Sequence, residues 1–187
     1  MIKIDLSKIH VNADNYVALV KKTESVNFPM IADRMSRPVL ANEVHDLIHD
    51  FIEFGRRADQ LKRALFYDAV KTHDDGARVV DNSVSDRMKS VVMIRFLHSI
   101  LGLITEPAEL AEWYDSHVFD DKEIDWTKVS KEYGDCEWYF GVGVDIQQEF
   151  TGKSMAVILT DNIVKLALRY PEGFTEFHAQ NRLADDV

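Results

Sequence analysis

Cysteine occurs once, at Cys136, so no disulfide can form within the chain, and a reducing, cytoplasmic setting is expected. Proline occurs four times and glycine eight times in 187 residues, too seldom for a low-complexity or fibrous chain. Alternation of period two is never sustained, which argues against strands. No apolar run reaches the roughly 18 to 20 residues of a membrane span, because Arg95 and His98 interrupt the best candidate, 91–104. Met1 to Asp5 has neither the charged nor the apolar region of a signal peptide. Positive charge is also in short supply: 22 Lys and Arg stand against 32 Asp and Glu, a net charge of −10. That argues against electrostatic binding of a nucleic acid polymer. It leaves room for a nucleotide, because a metal held by carboxylates reverses the local sign.

With 46% apolar and 29% charged residues, the composition is that of a globular protein, and the length suits one domain. Residues 1–40 read as an N-terminal arm with a short helix near 12–22 and a loop-like segment punctuated by Asn27-Phe28-Pro29 and Arg37-Pro38. A basic helix is expected over 42–68, capped by Asn42, with Val44, Leu47, Ile48, Phe51, Phe54, Ala58, Leu61 and Leu65 at helical spacing. A polar loop over 71–85 follows. Two more helices are expected over 86–116 and 126–149, and a last one from Ser154 to Tyr170, stopped by Pro171 and Gly173. The fold class is therefore all-α, a bundle of about five helices, with 86–150 forming an acidic pair and 154–187 a C-terminal helix and tail. Segments 47–68 and 100–121 align without gaps at Glu53/Glu106, Ala58/Ala111, Phe66/Phe119 and Asp68/Asp121. Duplication and shared periodicity both account for so few identities. One copy is basic where the other is acidic.

The acidic pair carries the chemistry. Glu106, Glu109 and Glu112 recur three apart, as do Glu132 and Asp135, and residues three apart on a helix are surface neighbours. Two such helices laid antiparallel would converge their carboxylates, an arrangement that repels itself unless cations neutralise it. The natural occupant is Mg²⁺, with Mn²⁺ as a second choice.

These residues and their flanks resemble the MazG-like all-α nucleoside triphosphate pyrophosphohydrolases of the small phage and bacterial type. The resembling blocks are His98 to Leu103 with Glu106-x-x-Glu109, Phe119 to Asp125 in the connection, Glu132-x-x-Asp135 with Cys136 to Tyr139, and Asn162 through Gly173 to Arg182. The resemblance implies hydrolysis of a nucleoside triphosphate to monophosphate and pyrophosphate, with Glu106, Glu109, Glu132 and Asp135 as Mg²⁺ ligands. Glu109 or Glu112 would orient the attacking water. Lys62, Arg63, Lys122, Lys165 and Arg169 would meet phosphates, and Asn162 a base or sugar edge. A homodimer or homotetramer is expected, to cover leftover apolar surface. The chain departs from the family at Thr105, where an acid is usual, and at Asp115 and Ser116, where cations are common. Pro107 lies inside the first acidic pair, a costly place in mid-helix but an acceptable one if the helix begins near Thr105.

Other readings stay open. Phosphoribosyl-ATP pyrophosphatase activity would use similar carboxylates, and a non-catalytic copy would bind nucleotide or scaffold an oligomer. Asn162, Lys165 and Arg169 also fit a solvated stripe. His45-Asp46 and His49-Asp50 could mimic a zinc pair, His98 reads as a hydrogen-bonded core residue, and Cys136 as a small core residue without a cation to activate it.

Overall fold

The computed structural model describes residues 11–24, 27–67, 87–171, 173–175 and 177. The expected 71–85 loop, Asp68 and the Asn181-Arg182 end of the last block lie outside them. Six helices are described: α1 Ala13–Val20, α2 Phe28–Met35, α3 Pro38–Tyr67, α4 Val91–Val118, α5 Trp126–Thr151 and α6 Met155–Arg169. Among the described residues there is no strand, only an isolated bridge between Pro171 and Gly173. The all-α reading therefore holds.

Several boundaries correct the sequence reading. The loop-like stretch after Asn27 is a helix, α2, because Pro29 sits in its first turn, where a missing N–H costs nothing. The same rule moves the start of α3 from Asn42 back to Pro38, which leaves Asn42 inside the helix. α4 starts at Val91 instead of Asp86, since the Ser90 hydroxyl accepts from the Met93 amide at 3.2 Å and caps it. Pro107 lies well inside α4, so the alternative of a helix beginning near Thr105 falls away.

The chain forms two compact units, 1–37 with 151–187, and 38–150. In the first, the Asn12 and Asn15 side chains cap α1 reciprocally at 2.9 and 3.0 Å, and α1 meets α6. Val11, Ile163 and Tyr170 are its buried apolar residues. Gly152, with φ of 69°, turns the chain ahead of α6.

The second unit is α3, α4 and α5, with each neighbouring pair antiparallel. Along α3 and α4, Arg56 meets Glu112, Lys62 meets Glu106, and the Phe66 ring stacks on His98 at 4.1 Å. Gly55 faces Ala108 so closely that an added Cβ would lie 2.1 Å from the alanine methyl. Across α4 and α5, the Ser99 hydroxyl donates to the Tyr139 carbonyl at 2.8 Å, and Lys128 lies 5.7 Å from the centre of the Trp113 ring. A Cβ on Gly102 would sit 2.1 Å from the Tyr139 ring. Gly55 thus lets α3 and α4 run close together, and Gly102 makes room on α4 for the Tyr139 ring of α5.

α4 is the one described helix long and apolar enough to cross a membrane by length and composition, with mean hydropathy 1.4 over its best 18-residue window. Its buried residues include Ser99, Thr105 and Glu106, polar groups that are satisfied by α3 and α5. Buried polar groups on an apolar helix need such partners, and about a third of the window, 33%, is buried.

Candidate metal centre

Helical spacing places Glu106 and Glu109 on one face of α4, and the antiparallel approach of α5 brings Glu132 to them. One carboxylate oxygen from each of the three lies within 4.8 Å of the others. Opposite ligands of a single small dication are roughly 4 Å apart, so the spacing is of the right order. Asp135 joins them in the wall of a cavity of about 420 Å³, lined also by Asp59, Lys62, Arg63 and Tyr67. All four carboxylates expected from the sequence thus reach one cavity.

The floor of this cavity is a buried network. The Lys62 ammonium, 6% exposed, donates to Thr105 Oγ1 at 2.8 Å and to Glu106 Oε1 at 2.9 Å. Thr105, 2% exposed, gives its own proton to the same Glu106 oxygen at 2.9 Å. Lys62 also lies 5.1 Å from the centre of the Tyr139 ring, a cation–π contact. The choice of Thr105 has a physical reason: an acid there would add a second buried negative charge beside Glu106, whereas a hydroxyl bridges lysine and glutamate. Burial pushes the Lys62 pKa down, but the hydrogen bond and charge of Glu106 outweigh it and the net shift is upward. The ammonium therefore stays charged.

Five acidic and two basic side chains line the cavity. The excess shows at Glu109, whose carboxyl is pushed up to about 7 by desolvation first, then by the charges of Glu106 and Glu132, with Asp59 adding and Lys62 opposing. Cys136 is raised as well, by burial and by Glu106 and Asp135, so its thiol stays protonated and is no nucleophile.

A second cavity of about 300 Å³ adjoins the first between α3 and α4, lined among others by Arg56, Asp59, Gln60, Glu109 and Glu112. Glu109 and Asp59 border both. Glu112 borders only this one and accepts from Arg56 Nε at 3.0 Å. The structure thus separates Glu112 from the Glu106–Glu109–Glu132 group.

The expected cations are distributed unevenly. Arg63 lines the first cavity with its Nε on Asp59 at 2.6 Å. Lys122 lies in the α4–α5 connection and donates to Asp120 at 2.7 Å. Asn162, Lys165 and Arg169 lie in α6, in the other unit, where Lys165 is exposed and the Arg169 guanidinium is 5.9 Å from the centre of the Tyr170 ring. Sequence reasoning passed over Asp59. The signal for Asp59 was present in its spacing of three and four from Lys62 and Arg63.

The weaker candidates resolve differently. His45 Nδ1 meets the Asp46 carboxylate at 3.0 Å and its ring meets Phe119 edge-on, and these histidines form no metal-ligating group among the described residues. The His98 ring packs against Phe66, Trp138 and Tyr139. Its Nε2 is buried without a partner, and burial followed by the charge of Lys62 lowers its pKa.

Compared with family models, curated proteins and solved structures, the chain matches none.

Proposed function

We propose that the chain is a Mg²⁺-dependent nucleoside triphosphate pyrophosphohydrolase of the MazG-like all-α type, cleaving a nucleoside triphosphate to monophosphate and pyrophosphate. The observation that carries the reading is the convergence of Glu106, Glu109 and Glu132 within 4.8 Å, with Asp135 in the same wall. This all-oxygen donor set, with an acidic excess strong enough to hold Glu109 at about 7, suits a hard dication. Glu106, Glu109, Glu132 and Asp135 would hold Mg²⁺ or Mn²⁺, which supplies charge neutralisation at the phosphate oxygens.

The chain's own residues divide the remaining work. Lys62 and Thr105 hold the Glu106 oxygen in place, so this ligand is oriented before anything binds. Glu109 borders both cavities and is the better candidate to orient the attacking water, because Glu112 is held by Arg56. Arg63, at the first cavity, offers a guanidinium to the phosphates. The second cavity gives a place for the nucleoside.

The test is pyrophosphate release from a panel of nucleoside triphosphates in the presence of Mg²⁺. The wild type should release pyrophosphate, and Glu109→Gln and Asp135→Asn should each lose about 100-fold or more. A wild type no more active than these variants on every substrate sinks the reading.

A further inference from the structure

The outer face of α3 carries an apolar stripe that is exposed among the described residues. Leu40, Leu47, Phe54 and Leu61 recur every seven residues and are 41–65% exposed. Val44, Phe51, Ala58 and Leu65 form a second series of the same period beside them, with Ala58 turned toward α4 and buried. A strict seven-residue repeat over about four heptads is the pattern of a helix that packs along another helix. The face toward α4 uses other positions: Ile52, Gly55, Lys62 and Phe66.

We propose that this stripe is the contact for a second copy of the chain, with the two α3 helices antiparallel about a two-fold axis near Phe51 and Phe54. In that direction the two series meet each other, whereas in a parallel pairing each series would meet its own copy. Reversed on a second copy, the stripe sets Leu40 against Leu65, Val44 against Leu61, and Phe51 against Phe54, with Leu47 over the buried Ala58, which adds little to the contact. The charges beside the stripe agree with the same register. Asp50 and Arg57 are exposed and pair with no other described side chain, and the antiparallel pairing sets Asp50 of each copy against Arg57 of the other. A parallel pairing would instead leave Asp50 near Gly55, with no charge to meet. The occupant is therefore a second α3, with two ion pairs that fix direction as well as register.

Sedimentation equilibrium on the full chain tests this, with far-UV circular dichroism to verify that each variant keeps its helix content. The wild type should be a dimer, and Phe54→Glu and Leu47→Glu, both at exposed positions, should be monomers of unchanged helicity. Asp50→Arg should weaken the dimer about tenfold by setting like charges together. Adding Arg57→Asp to the same chain should restore it. A monomeric wild type overturns the proposal, including one that instead binds phosphatidylcholine vesicles and so gives the stripe to a membrane. So does a dimer indifferent to Phe54→Glu, or a double reversal that associates no better than Asp50→Arg alone.

Discussion

At the scale of single residues, the buried lysine decides how the carboxylates behave. Removing it by Lys62→Met should cost about 3 kcal/mol or more in urea unfolding, because Glu106 is left buried without its cation. Thr105→Val should cost less, about 1–2 kcal/mol, since it removes one shared hydrogen bond and keeps the ion pair. Glu109 has the opposite sign. Its folded pKa, about 7, lies above its ordinary 4.5, so the folded state holds its proton more tightly than the unfolded state does. The stability this contributes is fully present below about 4.5 and is lost as pH rises through 7. The metal-free protein should therefore show a falling Tm between pH 5 and pH 7.5, and Glu109→Gln should flatten that slope. Mg²⁺ should raise the wild-type Tm more at pH 7.5 than at pH 5.5, because the proton and the dication compete for the same oxygens. A Tm that rises with pH over this range in the wild type and in Glu109→Gln alike would contradict the assignment.

At the scale of elements, α4 is held by what its neighbours lack. Gly102→Ala would drive a methyl into the Tyr139 ring, and overpacking of this kind costs about 1–3 kcal/mol. Chemical denaturation should find that loss, while Gly134→Ala on α5, where an added Cβ meets nothing within 4 Å, should be neutral or stabilising. The helices themselves were legible because their periodicity is long, whereas several of their starts were not. Ser154 as the start of the last helix could be read directly. α2 could not, since Asn27-Phe28-Pro29 reads as loop punctuation unless the proline is recognised as a first-turn residue. Pro107 was visible in the sequence, but its mid-helix position depended on Ser90 starting α4 early enough. The carboxylate pairs were legible because spacing on a helix is local information. The burial of Lys62 was not, since it arises from the antiparallel register of α3 on α4 and no local pattern encodes register.

At the scale of the whole molecule, charge and metal should govern stability together. A chain with net charge −10 and five carboxylates around one cavity carries self-repulsion that salt screens and a bound dication removes locally. Millimolar Mg²⁺ should raise Tm beyond what NaCl of equal ionic strength achieves. Glu132→Gln should leave the NaCl effect intact and abolish the excess. Equal responses to both salts in the wild type would mean that the carboxylates bind no cation specifically. The described buried apolar set is small for this length: a dozen residues, with large apolar side chains exposed on α3, α4 and α5.

Gly55 and Ala108 occupy one shared volume, and neither residue alone owns it. The Cβ that Gly55 lacks would lie 2.1 Å from the methyl that Ala108 has. Exchanging the two residues should therefore preserve the fit that either single change breaks: Gly55→Ala should destabilise the unit, and Ala108→Gly in the same chain should recover much of the loss. In a lineage descended from this sequence, the two positions would drift as a linked pair that trades one methyl back and forth. The acidic face of α4, whose Glu106 and Glu109 flank Ala108 along the chain, would stay at a fixed distance from α3 throughout.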